Sequence, residues 1–488
     1  MFRKIILAVV VCVIESSALA ETPLRLNVIE HRLPNGLTLL MLEHHRAPIV
    51  SCSVFYRVGS VNEEPGCTGI SHLLEHMMFK GTRTIGTKDH AREEPLLRKI
   101  EELHERLSES GRGSEDAGSA KGLKDELAHA ERQADSLTTK NEFWKILTRE
   151  GAEGLNAHTG RDWTQYLCSL PANRLELWMW LESDRMSGAV FREFYRERAV
   201  ILEERRLTID DSPDGAFSEQ LFATAFIAHP YRWPIIGWAS DIEHITPDLL
   251  RSFYRRYYAP NNAIVAIAGD IRPEQVVALA NRYFGPIPPQ PPPPPIVTRE
   301  PEQRGKREAY LKFDASPRIA LAYHKPAVGA DDDIALNVLE NILSSGRTSR
   351  LYKSLVQQKQ VAVAATASCP PSKYPYLFIF YSIPRRPHTT DDVERALRAE
   401  IERLSREPAG EWEMQKARNQ IEADFVRECE SAQNLASLIG SYESIDRWEY
   451  LNRYIPKIRA VTAADVTRVV NTYLREERCT KVVIRDTR

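Results

Sequence analysis

The sequence predicts an α+β fold built from two similar domains, and three observations carry that reading. The chain has 488 residues, too many for one ordinary hydrophobic core. A proline-rich stretch at 286–295 fits neither a helix nor a sheet interior and so divides the chain. On each side of it an apolar strand pattern leads into an apolar helix, and the two copies lie 265 residues apart.

The first twenty residues stand apart from both domains. Arg3 and Lys4 precede an unbroken apolar run from Ile5 to Ile14, and Ala18-Leu19-Ala20 offers small residues for cleavage. That is the layout of a secretory signal peptide over 1–20. An uncleaved anchor is the alternative, but the ten residues from Ile5 to Ile14 are too few to span a bilayer. The mature protein is therefore expected to be periplasmic or secreted, with no stable membrane span. Hydrophobic residues make up 43% and charged residues 27%, with a net charge of −2. Such a balance gives no basic field for nucleic acid, so function must come from a site. Cys52, Cys67, Cys168, Cys369, Cys429 and Cys479 are scattered without a C-x-x-C spacing, as buried free thiols would be.

In the first domain, expected over 21–285, Ile49 to Val58 reads as a buried strand leading into a helix over 72–79. That helix carries His72-Leu73-Leu74-Glu75-His76. Spacings of i, i+3 and i+4 put both imidazoles and the carboxylate on one side of a helix. Two neutral imidazoles suit zinc, and a carboxylate that stays off the metal can take a proton from water. The order H-x-x-E-H is the inverted form of a zinc-peptidase motif. Taken alone it also fits a coincidence on a solvated helix. Residues 92–140 follow with two leucine stripes around a Ser/Gly-rich turn, a charged helical hairpin inserted into the domain. It reads either as a lid or docking arm or, preferably, as a solvated excursion.

Farther on, 194–206 is rich in helix formers, and Glu197 and Glu204 stand seven residues apart, near one face. That pair can supply a third zinc ligand and a carboxylate behind an imidazole. A surface helix with alternating charge is the competing reading. The prolines at 286–299 form a stiff linker. In the second domain, over 300–488, Ile319 to Tyr323 is a strand and Ile334 to Leu343 a helix. There Asn337 and Asn341 take the places of His72 and His76 while Glu340 matches Glu75. Asparagine is a poor zinc ligand, so this half is expected to be metal-free.

The 72–82 motif, the 196–206 segment and the duplicated layout resemble the pitrilysin/insulinase family of zinc metallopeptidases, in particular its short bacterial members akin to mitochondrial processing peptidases. The likeness spans nearly all of 26–488. It implies two homologous domains, each a mostly antiparallel sheet packed with helices, forming a clamshell around a chamber. It implies one zinc ion per chain, held by His72, His76 and Glu204, with Glu75 as general base and Glu197 as the supporting carboxylate. The stretch Gly154 to Tyr166 is similar to a further family signature, an edge strand on which a peptide substrate pairs. Asn156 and Ala157 are its matching positions.

Two departures qualify the likeness. The family separates its second histidine from the glutamate ligand by fewer residues, and the 92–140 insertion accounts for the excess. Active members also carry an arginine and a tyrosine, seven apart, that grip the substrate main chain. Val356 and Val363 stand there instead, and valine offers neither a charged fork nor a phenol. The expectation is an exported zinc-dependent endopeptidase or oligopeptidase acting on peptides or unfolded segments. It would form a homo- or heterodimer with a related chain that supplies the arginine–tyrosine clamp. The alternative is a non-catalytic structural or chaperone-like subunit.

Overall fold

The computed structural model describes residues 25–110 and 117–485; the signal sequence expected at 1–20 lies outside them. Six strands of the first half form one sheet: β1 (Ile29–Arg32), β2 (Thr38–Glu43), β3 (Ile49–Tyr56), β4 (Glu153–Thr159), β5 (Thr164–Pro171) and β6 (Ala263–Gly269). Their order is β1-β2-β6-β3-β5-β4. β2 runs parallel to β6, and the remaining neighbours are antiparallel. Central β3 is buried on both faces, which is why its sequence is a continuous apolar and small-residue run instead of an alternation. β4 is an edge strand and is exposed along most of its length.

Five helices of this half matter for function: α1 (Ile70–Met77), α2 (His90–Ser110), α3 (Ala117–Leu137), α4 (Phe194–Arg205) and α5 (Pro213–Ala225). α1 begins after Gly69, whose φ is +88°; a Cβ there would lie 2.3 Å from the Ile236 carbonyl oxygen, so only glycine fits. Leu73, Leu74 and Met77 then bury against the sheet beside Val54 and Ile267.

The second half repeats the plan with β7 (Arg307–Leu311), β8 (Arg318–Lys325), β9 (Ala362–Ser368), β10 (Tyr376–Pro384) and β11 (Thr480–Ile484), in the order β7-β11-β8-β10-β9. Without β1, the two orders coincide strand for strand, down to the parallel pair β7/β11 answering β2/β6. α6 (Asp331–Ser344) follows β8 as α1 follows β3, and α7 (Glu411–Glu428) and α8 (Ala432–Ile445) come later.

The halves exchange helices. Leu435 and Ile439 of α8 pack on Leu40, Phe55, Ile264 and Ala266 of the first sheet. Phe217, Leu221 and Phe222 of α5 pack on Ala320, Ala322, Val482 and Ile484 of the second. Each sheet thus buries one face on its own helices and the other on a helix lent by its counterpart. Residues 286–299 carry no helix or strand. They end at Glu300, whose carboxylate accepts hydrogen bonds from the main-chain N–H groups of Ile227, Ala228 and His229.

The stretch read as a solvated excursion is more firmly held than its charge suggested. α2 and α3 share a small core of Leu103, Leu123 and Ala130. At the base, Glu93 and Arg192 form a fully buried bidentate pair at 2.7 and 2.8 Å. The His104 ring stacks on Tyr195 of α4 with centroids 3.5 Å apart. Cys52, Cys67, Cys168, Cys369, Cys429 and Cys479 are free thiols.

Candidate metal centre

α1 presents its motif because its N-terminus is fixed twice. Gly69 makes the turn, and the buried Glu63 carboxylate accepts from the N–H groups of Gly69 and Ser71 at 2.8 and 2.9 Å. Burial pushes the Glu63 carboxyl up to about 8, against the pull of those amide bonds. Nothing in the motif announced Glu63; it caps the helix from seven residues before its first turn.

α1 packs against α4, which brings Glu204 to the two histidines. His72 Nε2 lies 3.7 Å from Glu204 Oε1, and His76 Nε2 lies 3.6 Å from Glu204 Oε2. One ligand atom from each residue falls within 4.8 Å of the other two, and this is the one such group among the described residues. Tetrahedral ligands at zinc bond lengths stand about 3.3–3.5 Å apart, so the three side chains fit that ion with a slight closure. The donor set is also the right one: two imidazoles and a carboxylate, with room for water or substrate.

The surroundings prepare those donors. Burial lowers the His72 imidazole to about 3, helped by the charges of His76 and His158, so its lone pair is available at neutral pH. For His76, burial favours the neutral ring but the Glu197 hydrogen bond and the nearby carboxylates outweigh it, and its pKa is raised. Glu197 Oε2 lies 3.3 Å from His76 Nδ1, and Lys80 Nζ contacts the other oxygen of the same carboxylate. Glu197 is held below its usual pKa: burial opposes this, and the His76 and Lys80 hydrogen bonds prevail. Glu203, one residue before Glu204, is exposed and paired with Arg206.

Glu75 sits beside the histidines without joining their cluster. Burial raises its carboxyl, partly offset by a hydrogen bond from Thr159 and the charge of His76. A cavity of about 520 Å³ opens over the group, lined by His72, Glu75, His76, Ala157, His158 and Glu204 among others. Of the two edge-strand positions, Ala157 lines this cavity and Asn156 stands exposed beside it on β4. After Glu204 the helix widens into a π-helical turn, Arg206–Asp210, which brings Thr208 and Ile209 to the cavity wall.

The second half keeps the cavity but not the donors. Asn337, Glu340, Asn341 and Glu428 line a space of about 380 Å³ between α6 and α7. Val356 packs against the core, and Val363 is exposed on β9. Gln360 between them has φ +54°, a left-handed turn in a residue other than glycine.

Residues 39–94 match the family described as Insulinase (Peptidase family M16), and 244–421 match the one described as Peptidase M16 inactive domain. Zinc protease PqqE of Helicobacter pylori is 27% identical over 460 residues, covering 93% of this chain and 91% of the relative. A probable mitochondrial-processing peptidase subunit beta of Arabidopsis thaliana is 24% identical over 459 residues, covering 91% of this chain and 76% of the relative. The crystal structure of a protease from Helicobacter pylori matches with a TM-score of 0.80 at 26% identity, over 94% of this chain and 100% of that one.

Proposed function

Because the chain belongs to the pitrilysin/insulinase (M16) family of peptidases, we propose that it is a zinc-dependent endopeptidase or oligopeptidase acting on peptides or unfolded segments. The observation that carries the proposal is the convergence of His72, His76 and Glu204, with Glu75 beside them at the cavity. His72, His76 and Glu204 would hold one zinc, which supplies Lewis acidity, polarising a scissile carbonyl and lowering the pKa of water. Glu75 takes the proton of the attacking water and returns it to the leaving amine. Glu197 orients His76 from behind. The free edge of β4, at Asn156 and Ala157, holds an extended peptide through main-chain hydrogen bonds.

The proposal extends to organisation. Residues 1–20 direct export to the periplasm or beyond. Domains over 21–285 and 300–488, joined by 286–299, close around a chamber. A related chain, identical or not, supplies the arginine–tyrosine grip that Val356 and Val363 cannot give. Those two valines are also what favours the second reading, a non-catalytic subunit.

One experiment separates the readings: zinc content of the purified chain, with and without a co-purified partner, beside cleavage of a quenched peptide. One zinc per chain and cleavage that Glu75→Gln abolishes, with zinc retained, support the peptidase. A metal-free, inactive chain under both conditions overturns it.

A further inference from the structure

Thr159 closes β4, the edge strand on which Asn156 and Ala157 lie. Its hydroxyl donates to Glu75 Oε2. Both side chains are buried, Thr159 at 5% exposure and Glu75 at 9%. The contact joins residues 84 positions apart, so it belongs to the tertiary fold and not to the motif helix.

Thr159 is itself held by its neighbours. It pairs with Thr164 across the β4–β5 turn, and the Thr164 hydroxyl donates to the Val58 carbonyl at 2.9 Å. The turn is pinned from below, where Ser60 N–H donates to the Gly160 carbonyl at 3.2 Å and Val61 N–H to that of Arg161 at 2.9 Å. Gly59 allows this approach: a Cβ there would lie 2.5 Å from the Gly160 oxygen.

A glutamate carboxylate turns easily about its last torsion, whose energy wells are broad and two-fold. A buried donor on one oxygen fixes which of the two faces the water. We propose that Thr159 is a positioning residue for Glu75, its hydroxyl holding Oε2 so that Oε1 is left for the water. Since the same strand would carry the peptide, seating of substrate on β4 and orientation of the base are mechanically one event. This rests on the peptidase reading for its consequence, though not for its geometry.

Thr159→Val keeps the shape and loses the donor; Thr159→Ser keeps the donor; Thr159→Ala serves if the valine fails to fold. With the zinc-loaded chain and a quenched peptide, kcat should fall about 10- to 100-fold in the valine variant, the size of effect a misplaced catalytic group has. KM and zinc content should stay near those of the parent, the signature of an interaction lost only in the transition state. Serine should restore most of the rate. In crystals, Glu75 should take more than one carboxylate orientation in the valine variant and one in the parent and the serine variant. The proposal is overturned if Glu75 keeps a single unchanged orientation in the valine variant, or if serine and valine lose rate equally. A zinc-loaded parent that is inactive with and without a co-purified partner would refute the peptidase reading alone, and the crystal comparison would still decide the role of Thr159.

Discussion

His76 Nδ1 lies 3.3 Å from Glu197 Oε2, which leaves Nε2 as the nitrogen turned toward Glu204 at 3.6 Å. Lys80 neutralises the far oxygen of that carboxylate, so tautomer, ring orientation and donor basicity are fixed by a relay of three residues. Glu197→Gln should lower zinc affinity about 10- to 100-fold, the usual effect of losing a ligand's supporting partner. Lys80→Met should lower it less. Competition with a chromophoric chelator measures both, and equal affinity in all three proteins would show that the relay is idle.

The base of the hairpin holds one fully buried ion pair. Removing either partner of Glu93–Arg192 leaves a charge without its counterpart in a site 0–1% exposed. Arg192→Met should therefore cost about 3–5 kcal/mol in urea unfolding, while the double change with Glu93→Leu should recover much of it. Because Arg192 precedes α4, loss of stability should be accompanied by weaker zinc binding.

Glu340 gives the second half a pH dependence. Burial raises its carboxyl to about 7, opposed by a hydrogen bond from the Cys369 main chain and the charge of Lys325 and assisted by Asp333. The folded chain therefore keeps a proton that the unfolded chain releases near its ordinary pKa. Stability from this group is full in acid and is lost as pH rises toward 7. Glu340→Gln cannot ionise, so its stability relative to the parent should rise by about 2 kcal/mol between pH 5 and pH 8. Urea titrations at the two pH values test this; a constant difference would contradict it.

At the exchange of helices the tightest point is Gly440. A Cβ there would lie 2.2 Å from Phe55 Cε2, and Phe55 is itself wedged edge-on against Trp163. Gly440→Ala should destabilise by about 1–3 kcal/mol through overpacking, despite the better helix propensity of alanine. Equal or higher stability would mean that the two halves separate more readily than their packing indicates.

What the sequence could express was whatever depends on short spacing. His72, Glu75 and His76 share a helical turn, Glu197 and Glu204 share two, and asparagines stand for the histidines in the copy. Contacts made by folding were silent. Thr159 reaches Glu75 from another strand, and Glu63 reaches α1 across a loop. The hairpin's charge disguised a buried pair, since Glu93 carries no local mark of being at 0% exposure. The sequence reading did not single out α5 or α8, and nothing local in either says that it covers the opposite sheet. The π-helical turn after Glu204 also left no trace, because nothing in Arg206–Asp210 distinguishes it from an ordinary helix end.

That crossing of α5 and α8 makes the proline linker dispensable as a tether. A nick at Gln290 would release no separate domains, since each fragment would still clasp the other with its own helix. A chain ending before residue 300 would be worse off than a nicked one: its first sheet would show Leu40, Phe55 and Ile264 to water. The two halves are in effect obligate partners that happen to be translated together.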